Sequence, residues 1–263
     1  NGSSITGLGN EAATLSDTTL AAAVLNTLDG NTSGTIDASN ITTLTGSASD
    51  LITAYTSSGI TGLANEAVTL SDTSLAVAVL NTLDGNTSGT IDASNITTLT
   101  GAAADLNTAY AANGSSITGL GNEAATLSDT SLSASVLNTL DGNTSGTVNA
   151  SNITTLTGEA ADLNTAYDSS GISNLGNENV TLTDTTLAAS ILNTLDGNTS
   201  GTINASNITT LTGSTADLTT AYASLTITGL GNEAVSVSSG TASTSQANTL
   251  AAATSGVVTA TLS

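Results

Sequence analysis

Apolar positions return along this chain in two alternating rhythms. Thr35-Ile36-Asp37-Ala38 and Ala67-Val68-Thr69-Leu70 alternate polar and apolar residues rich in β-branched side chains, which is the period of a short strand. A different spacing follows. Leu75, Val79, Leu80 and Leu83 stand at i, i+4, i+5 and i+8 with alanines between them, which places them on one face of a helix. Asp72 or Thr73 is positioned to cap the start of that helix, and Gly85 to close it in a left-handed turn. Ser47 to Asp50 reads as a capping-box variant ahead of Leu51 and Tyr55. Each unit is therefore expected to hold one or two short strands and one short helix.

These units repeat. The stretch LNTLDGNTSGTIDASNITTLTG begins at Leu25 and returns, with few changes, at Leu80, Leu137 and Leu192. Successive starts differ by 55 (80 − 25), 57 (137 − 80) and 55 (192 − 137). A nearly fixed period of this length is the mark of a stacked repeat protein. Each period divides again into a shorter coil, such as Thr35 to Gly59, and a longer one, such as Ile60 to Gly89. Coil starts fall near residues 5, 35, 60, 90, 117, 147, 172, 202 and 227, and residues 257–263 resemble the first strand of another coil. The expectation is one continuous solenoid over residues 1–263, about nine coils of parallel strands, each with a short helix or helical turn. An all-β solenoid (β-helix) is the alternative. One coil cannot bury its own apolar face; stacking does so, with strands about 4.8 Å apart.

Composition removes many functions. The chain has no Lys, Arg, His, Cys, Met, Trp, Phe or Pro, and its formal charge is −21. Without cations it has no means of neutralising phosphates, which argues against nucleic acid as a partner. Without His or Cys, the usual ligands of zinc, haem and iron–sulfur centres are missing, as are Ser-His-Asp and Cys-His catalytic units. No apolar run approaches the ~18 residues of a membrane span. The first residue is Asn rather than Met, and the chain reads as a piece of something longer. Low complexity could mean disorder, but apolar residues keep their register in every copy.

The sharpest chemical motif is the turn inside the repeat. Asp29-Gly-Asn-Thr-Ser-Gly-Thr-Ile-Asp-Ala-Ser-Asn40 resembles the calcium loop of EF-hand and dockerin-type proteins. That resemblance implies oxygen ligands from Asp29, Asn31, Ser33, the Thr35 carbonyl, Asp37 and Asn40, with Gly34 at the sharp bend. The second copy would use Asp84, Asn86, Ser88, Thr90, Asp92 and Asn95. The later copies would use Asp141, Asn143 and Ser145, and Asp196, Asn198 and Ser200. The twelfth position is Asn, so the bidentate carboxylate of the family is absent, and position nine is Asn149 and Asn204 in the later copies. The alternative to Ca2+ is a plain glycine-closed turn, since Tyr55-Thr-Ser-Ser-Gly59 makes a similar turn without the acid.

Other carboxylates recur in step: Glu11, Glu66, Glu123, Glu178 and Glu233; Asp17, Asp72, Asp129 and Asp184; Asp50, Asp105, Asp162 and Asp217. Paired carboxylates can hydrolyse glycosides, yet a catalytic pair need occur only once. Recurrence in every repeat points to helix caps and solvated faces, and the chain is expected not to be an enzyme. Thr42, Thr43 and Thr45 begin rows of threonine, suited to a strand face and, more remotely, to ice. Tyr55, Tyr110, Tyr167 and Tyr222 are expected to cover the core edge at each short helix.

Stretches such as VTLSDTSLA, LNTLDGNTSGT and ITGLGNEAV are similar to the Ala/Thr/Asp-rich repeats of very large secreted and cell-surface proteins of bacteria, cyanobacteria in particular. The resemblance implies an extracellular or cell-surface location and a structural role in a filament, fibre or surface layer. The expected partners are further copies of itself, head to tail or side by side, or further repeats of a longer chain. A calcium-stabilised adhesin stalk or surface-binding module is the alternative.

Overall fold

The computed structural model describes residues 9–263. The chain divides into two compact units, residues 1–126 with 143–147, and residues 127–142 with 148–263. Both are built from repeated parallel strand-plus-helix coils, an α/β solenoid design with no barrel closure; among the described residues there are nine helices and five parallel sheets.

The helices are α1 (Ala22–Asn31), α2 (Ala48–Thr56), α3 (Val77–Asp84), α4 (Ala103–Ala112), α5 (Ala134–Asn143), α6 (Ala160–Asp168), α7 (Ala189–Asn198), α8 (Thr215–Ala223) and α9 (Thr244–Ala253). In the first unit α1 packs on α2, α2 on α3 and α3 on α4; in the second α6, α7, α8 and α9 pack in the same succession. Their inner faces carry Leu51, Leu80, Leu83 and Leu106, or Leu163, Leu192, Leu195 and Leu218, all fully buried. At about 1.5–3 kcal/mol for each such side chain, stacking rather than intrinsic helix propensity holds helices this short. Among the described residues, no helix is long and apolar enough to cross a membrane.

Strands begin at the expected coil starts, at Ile36, Ile60, Ile91, Ile117, Val148, Ile172, Ile203, Ile227 and Val258; the start near residue 5 lies outside the described residues. Stacking does not follow the coil lengths, however. In one sheet of the first unit Leu20 pairs with Leu44, Leu44 with Val68, Val68 with Ile91 and Ile91 with Ile117. The steps along the chain are 24 (44 − 20), 24 (68 − 44), 23 (91 − 68) and 26 (117 − 91). The starts of α1 to α4 instead advance by 26 (48 − 22), 29 (77 − 48) and 26 (103 − 77). Each column of strands thus drifts against the column of helices. It opens with Thr19–Ala21, which runs directly into α1, and closes with Ile117–Thr118, which follows α4. The second unit repeats this from Leu132 through Leu156, Val180 and Ile203 to Ile227.

Drift adds a strand that the alternation of residues alone does not predict. The shorter coil holds two strands, Ile36–Asp37 and Thr43–Gly46, but the longer coil holds three, Ile60–Thr61, Ala67–Leu70 and Ser74–Ala76. The third opens a new sheet. Two capping expectations also fail. Gly85 sits at φ −74 rather than in a left-handed turn, and α3 starts from Ala76 with no side-chain cap. Asp72 instead accepts the Ala48 N–H at 2.8 Å, so it caps α2 of the previous coil, and Asp184 does the same for Ala160 of α6. The Ser47 hydroxyl accepts the Asp50 N–H as expected, at 3.1 Å.

Candidate functional site

Two recurring clusters carry the unusual chemistry. The first is a carboxylate inside the protein. Glu66, Glu123, Glu178 and Glu233 are each at most 1 % exposed, although the chain contains no cation to pair with them. A buried, unpaired charge is expensive, and backbone N–H groups offset it in part; Oε1 of Glu123 and of Glu178 is buried without a hydrogen-bond partner. Gly176 takes φ +123, and in that conformation the N–H groups of Gly176 and Asn177 both donate to Glu178 Oε2, at 2.9 and 3.2 Å. Gly231 and Asn232 do the same for Glu233, at 2.8 and 3.1 Å. Successive N–H groups in such a turn form a concave anion-binding nest. An N–H bond to a carboxylate is charge-assisted and about twice as strong as a neutral one.

A tyrosine completes each of the last three clusters from the short helix of the preceding coil. Tyr110 donates to Glu123 and Tyr167 to Glu178, both at 3.2 Å, and Tyr222 donates to Glu233. A buried threonine fixes the main chain: Thr87, Thr144, Thr199 and Thr254 donate to the carbonyls of Glu66, Glu123, Glu178 and Glu233 at 2.7–3.0 Å. Burial, with the carboxylate charge nearby, pushes the Tyr55 and Tyr110 phenols up to about 12, and it raises Tyr167 and Tyr222 as well. The tyrosines therefore do more than cover an edge. Sequence reasoning missed this because Tyr and Glu stand 11 or 13 residues apart in different coils.

The second cluster contains the candidate calcium ligands. Their positions face different partners. Asp29 Oδ2 accepts the Ser57 hydroxyl of the next coil at 2.6 Å. The Ser33 N–H and hydroxyl both donate to the Gly9 carbonyl. The Thr35 carbonyl accepts the Ala13 N–H in a strand pair. Asp37 Oδ1 accepts the Ser39 N–H at 3.0 Å, and Ser39, through its side chain and then its backbone, holds the Asp37 carboxyl below its usual range. Asn40 turns its amide nitrogen, not its oxygen, to the Leu15 carbonyl at 2.8 Å. Gly34 is required because a Cβ there would lie 2.3 Å from the Glu11 backbone; the coils touch at this point.

Other copies follow the pattern. Ser88, Ser145 and Ser200 donate to the carbonyls of Ala64, Gly121 and Gly176. Thr90 O accepts from Val68, Asp92 from Ser94, and Asn95 donates to Leu70 O. Asp141 and Asp196 accept from Ser169 and Ser224, while Asn143 and Asn198 donate to Asn107 and Asn164. Asp84 Oδ1 and Asn86 Nδ2 are the exceptions, buried without a hydrogen-bond partner. No group of three or more acidic side chains suited to a metal occurs among the described residues. A groove of about 450 Å³ beside α8 and α9 is lined by Thr215, Ala216, Thr219, Thr220, Ser245 and Gln246 and draws on none of these carboxylates.

Fold and site together define a solenoid whose polar residues bind coil to coil. Compared with protein-family models, with curated proteins and with solved structures, the chain matches none.

Proposed function

We propose that this chain is a structural element, a segment of an extracellular filament, fibre or surface layer in which coils stack upon coils. One observation carries the reading. In copy after copy asparagine side chains at equivalent positions bond to the backbone of the neighbouring coil. Asn26, Asn81, Asn138 and Asn193 donate to the carbonyls of Asp50, Asp105, Asp162 and Asp217. Asn40, Asn95, Asn152 and Asn207 donate to those of Leu15, Leu70, Leu127 and Leu182. A catalyst needs one such constellation turned toward a substrate. A stack that bears tension needs the same bond at every step, and side-chain bonds to backbone give it cohesion in a chain without cysteine.

The absence of Lys and Arg fits an assembly that draws on ions in the medium to screen its charge. Assembly is tested with the purified chain, by light scattering over a concentration series and by electron microscopy of the same samples. Filaments or sheets that grow with protein and salt concentration are expected. A monodisperse monomer at every concentration and ionic strength would overturn the proposal.

A further inference from the structure

Four copies of Leu-Asp-Gly-Asn-Thr-Ser-Gly occur in the chain, with aspartates at 29, 84, 141 and 196. Asp-Gly is the dipeptide in which a main-chain nitrogen most readily attacks the preceding carboxyl, because glycine presents no side chain to block the approach. The local sequence is the same in all four, so any difference in reactivity is structural.

Three copies are restrained. Asp29 accepts from Ser57 at 2.6 Å, Asp141 from Ser169 at 2.6 Å, and Asp196 from Ser224 at 2.9 Å and from Thr226. Their glycines lie inside helices that run on to Asn31, Asn143 and Asn198. A helical N–H points along the axis at the carbonyl four residues back, away from the carboxyl carbon of its neighbour.

The fourth copy keeps the helical bond, Gly85 N–H to Asn81 O at 3.2 Å, but holds it at the last turn of its helix, where ends fray, and its carboxylate lacks the partner. Helix α3 stops at Asp84, and Gly85 is its C-cap at φ −74, ψ −14. Asp84 Oδ1 is buried without a partner, as is Asn86 Nδ2 two residues on. The cause is the longer interval between the second and third repeats. Serine stands 28 residues beyond Asp29, Asp141 and Asp196, but the same step from Asp84 reaches Ala112 (84 + 28), the last residue of α4. A longer turn, Asn113-Gly-Ser-Ser116, follows it.

We propose that Asp84–Gly85 is a self-modification site, at which the chain isomerises through a cyclic imide to an isoaspartyl link. The Gly85 nitrogen attacks Asp84 Cγ. The N–Cγ bond forms, the Cγ–OH bond breaks, and the hydroxyl leaves as water with the proton from nitrogen. Water then adds to the imide. Opening at the Asp84 main-chain carbonyl leaves the chain running through Cβ and Cγ; opening at Cγ restores aspartate. The balance is an isomerisation and needs no other reactant. The chain supplies its own contrast at Asn113–Gly114, a dipeptide at least as labile in a free peptide. There the Asn113 amide donates to Leu120 O at 2.9 Å and accepts the Leu120 N–H at 3.3 Å, and the Gly114 N–H donates to Ile117 O at 2.7 Å.

The test is to age the folded chain at neutral pH below its melting temperature and follow isoaspartate site by site by peptide mapping. Isoaspartate is expected several-fold faster at Asp84 than at Asp29, Asp141 or Asp196. The four rates should converge when the same chain is aged in urea. Ser57→Ala should raise the Asp29 rate toward that of Asp84, with circular dichroism to check that this variant is folded. If it does not fold, the ranking of the four sites in the parent chain decides alone. Equal rates in the folded chain, or a fastest site other than Asp84, would overturn the proposal.

Discussion

Two coils of the same kind, Ile60 to Gly89 and Ile172 to Gly201, bury the same glutamate in different ways. In the second, left-handed Gly176 opens a nest, so that one oxygen of Glu178 receives two N–H groups and the Tyr167 hydroxyl. In the first, alanine stands at the equivalent position. Ala64 is not in the left-handed region, which carries a steric penalty for any residue with a Cβ. Both oxygens of Glu66 converge on the single Ala64 N–H, at 3.1 and 3.0 Å, and the Tyr55 hydroxyl is left buried without a partner. The coil with alanine thus lacks the tyrosine–glutamate hydrogen bond that the coil with glycine makes.

The largest way to break this comparison is to remove the carboxylates. Glu178→Ala strands two N–H groups and a phenol, and should cost at least about 3 kcal/mol given ~1–3 kcal/mol for each abandoned buried partner. Glu66→Ala strands one N–H and should cost at least about 1 kcal/mol less by the same count. Urea midpoints at unchanged m-value measure both; equal losses would mean that the nests are energetically alike.

Glycine itself gives the next contrast, within one turn. A Cβ at Gly201 would lie 2.2 Å from the Glu178 carbonyl oxygen, whereas one at Gly197, inside α7, meets nothing within 4 Å. Gly201→Ala should destabilise by about 1–3 kcal/mol through overpacking. Gly197→Ala should stabilise by up to ~1 kcal/mol through helix propensity. Thermal melts of the two variants should move in opposite directions.

Tyr167→Phe removes a donor from a carboxylate and should cost about 1.5 kcal/mol, while Tyr55→Phe deletes an orphaned hydroxyl and should be neutral or slightly stabilising. The same side chains govern alkaline stability. Burial first, with the Glu66 and Glu123 charges beside them, pushes Tyr55 and Tyr110 to about 12, above the ~10 of an unfolded chain. The folded state therefore holds these protons more tightly. Their contribution is complete below pH ~10 and is lost as pH rises toward about 12. Phenolate absorbance and circular dichroism recorded together should show ionisation coinciding with unfolding in that window; phenolate forming at pH ~10 without unfolding would contradict it.

The smallest effect is the sharpest. Ala64→Gly should let the first coil adopt the nest of the second. The hydrogen bond gained, about 1 kcal/mol, is offset by the ~0.5–1 kcal/mol backbone entropy of glycine. Net stability should barely move, yet the Tyr55 hydroxyl proton should become visible by NMR as a slowly exchanging signal.

The repeat, the alternating coils, the parallel strands starting at Ile36, Ile60 and Ile91 and the leucine-lined helices were all legible in the sequence, because each follows from local periodicity and from the need to bury an apolar face by stacking. The tertiary structure decided which residues meet across coils. Asp72 caps α2 rather than its own helix because strand and helix columns advance by different steps. Asp29 and Asn40, the two ends of one turn in the sequence, bond to Ser57 on one side and Leu15 on the other. Glu178 is buried, against every expectation for a carboxylate in a chain without cations, because donors separated along the chain converge on it. Periodicity fixes what a residue is near in its own coil; only the register of one coil on the next fixes its partner.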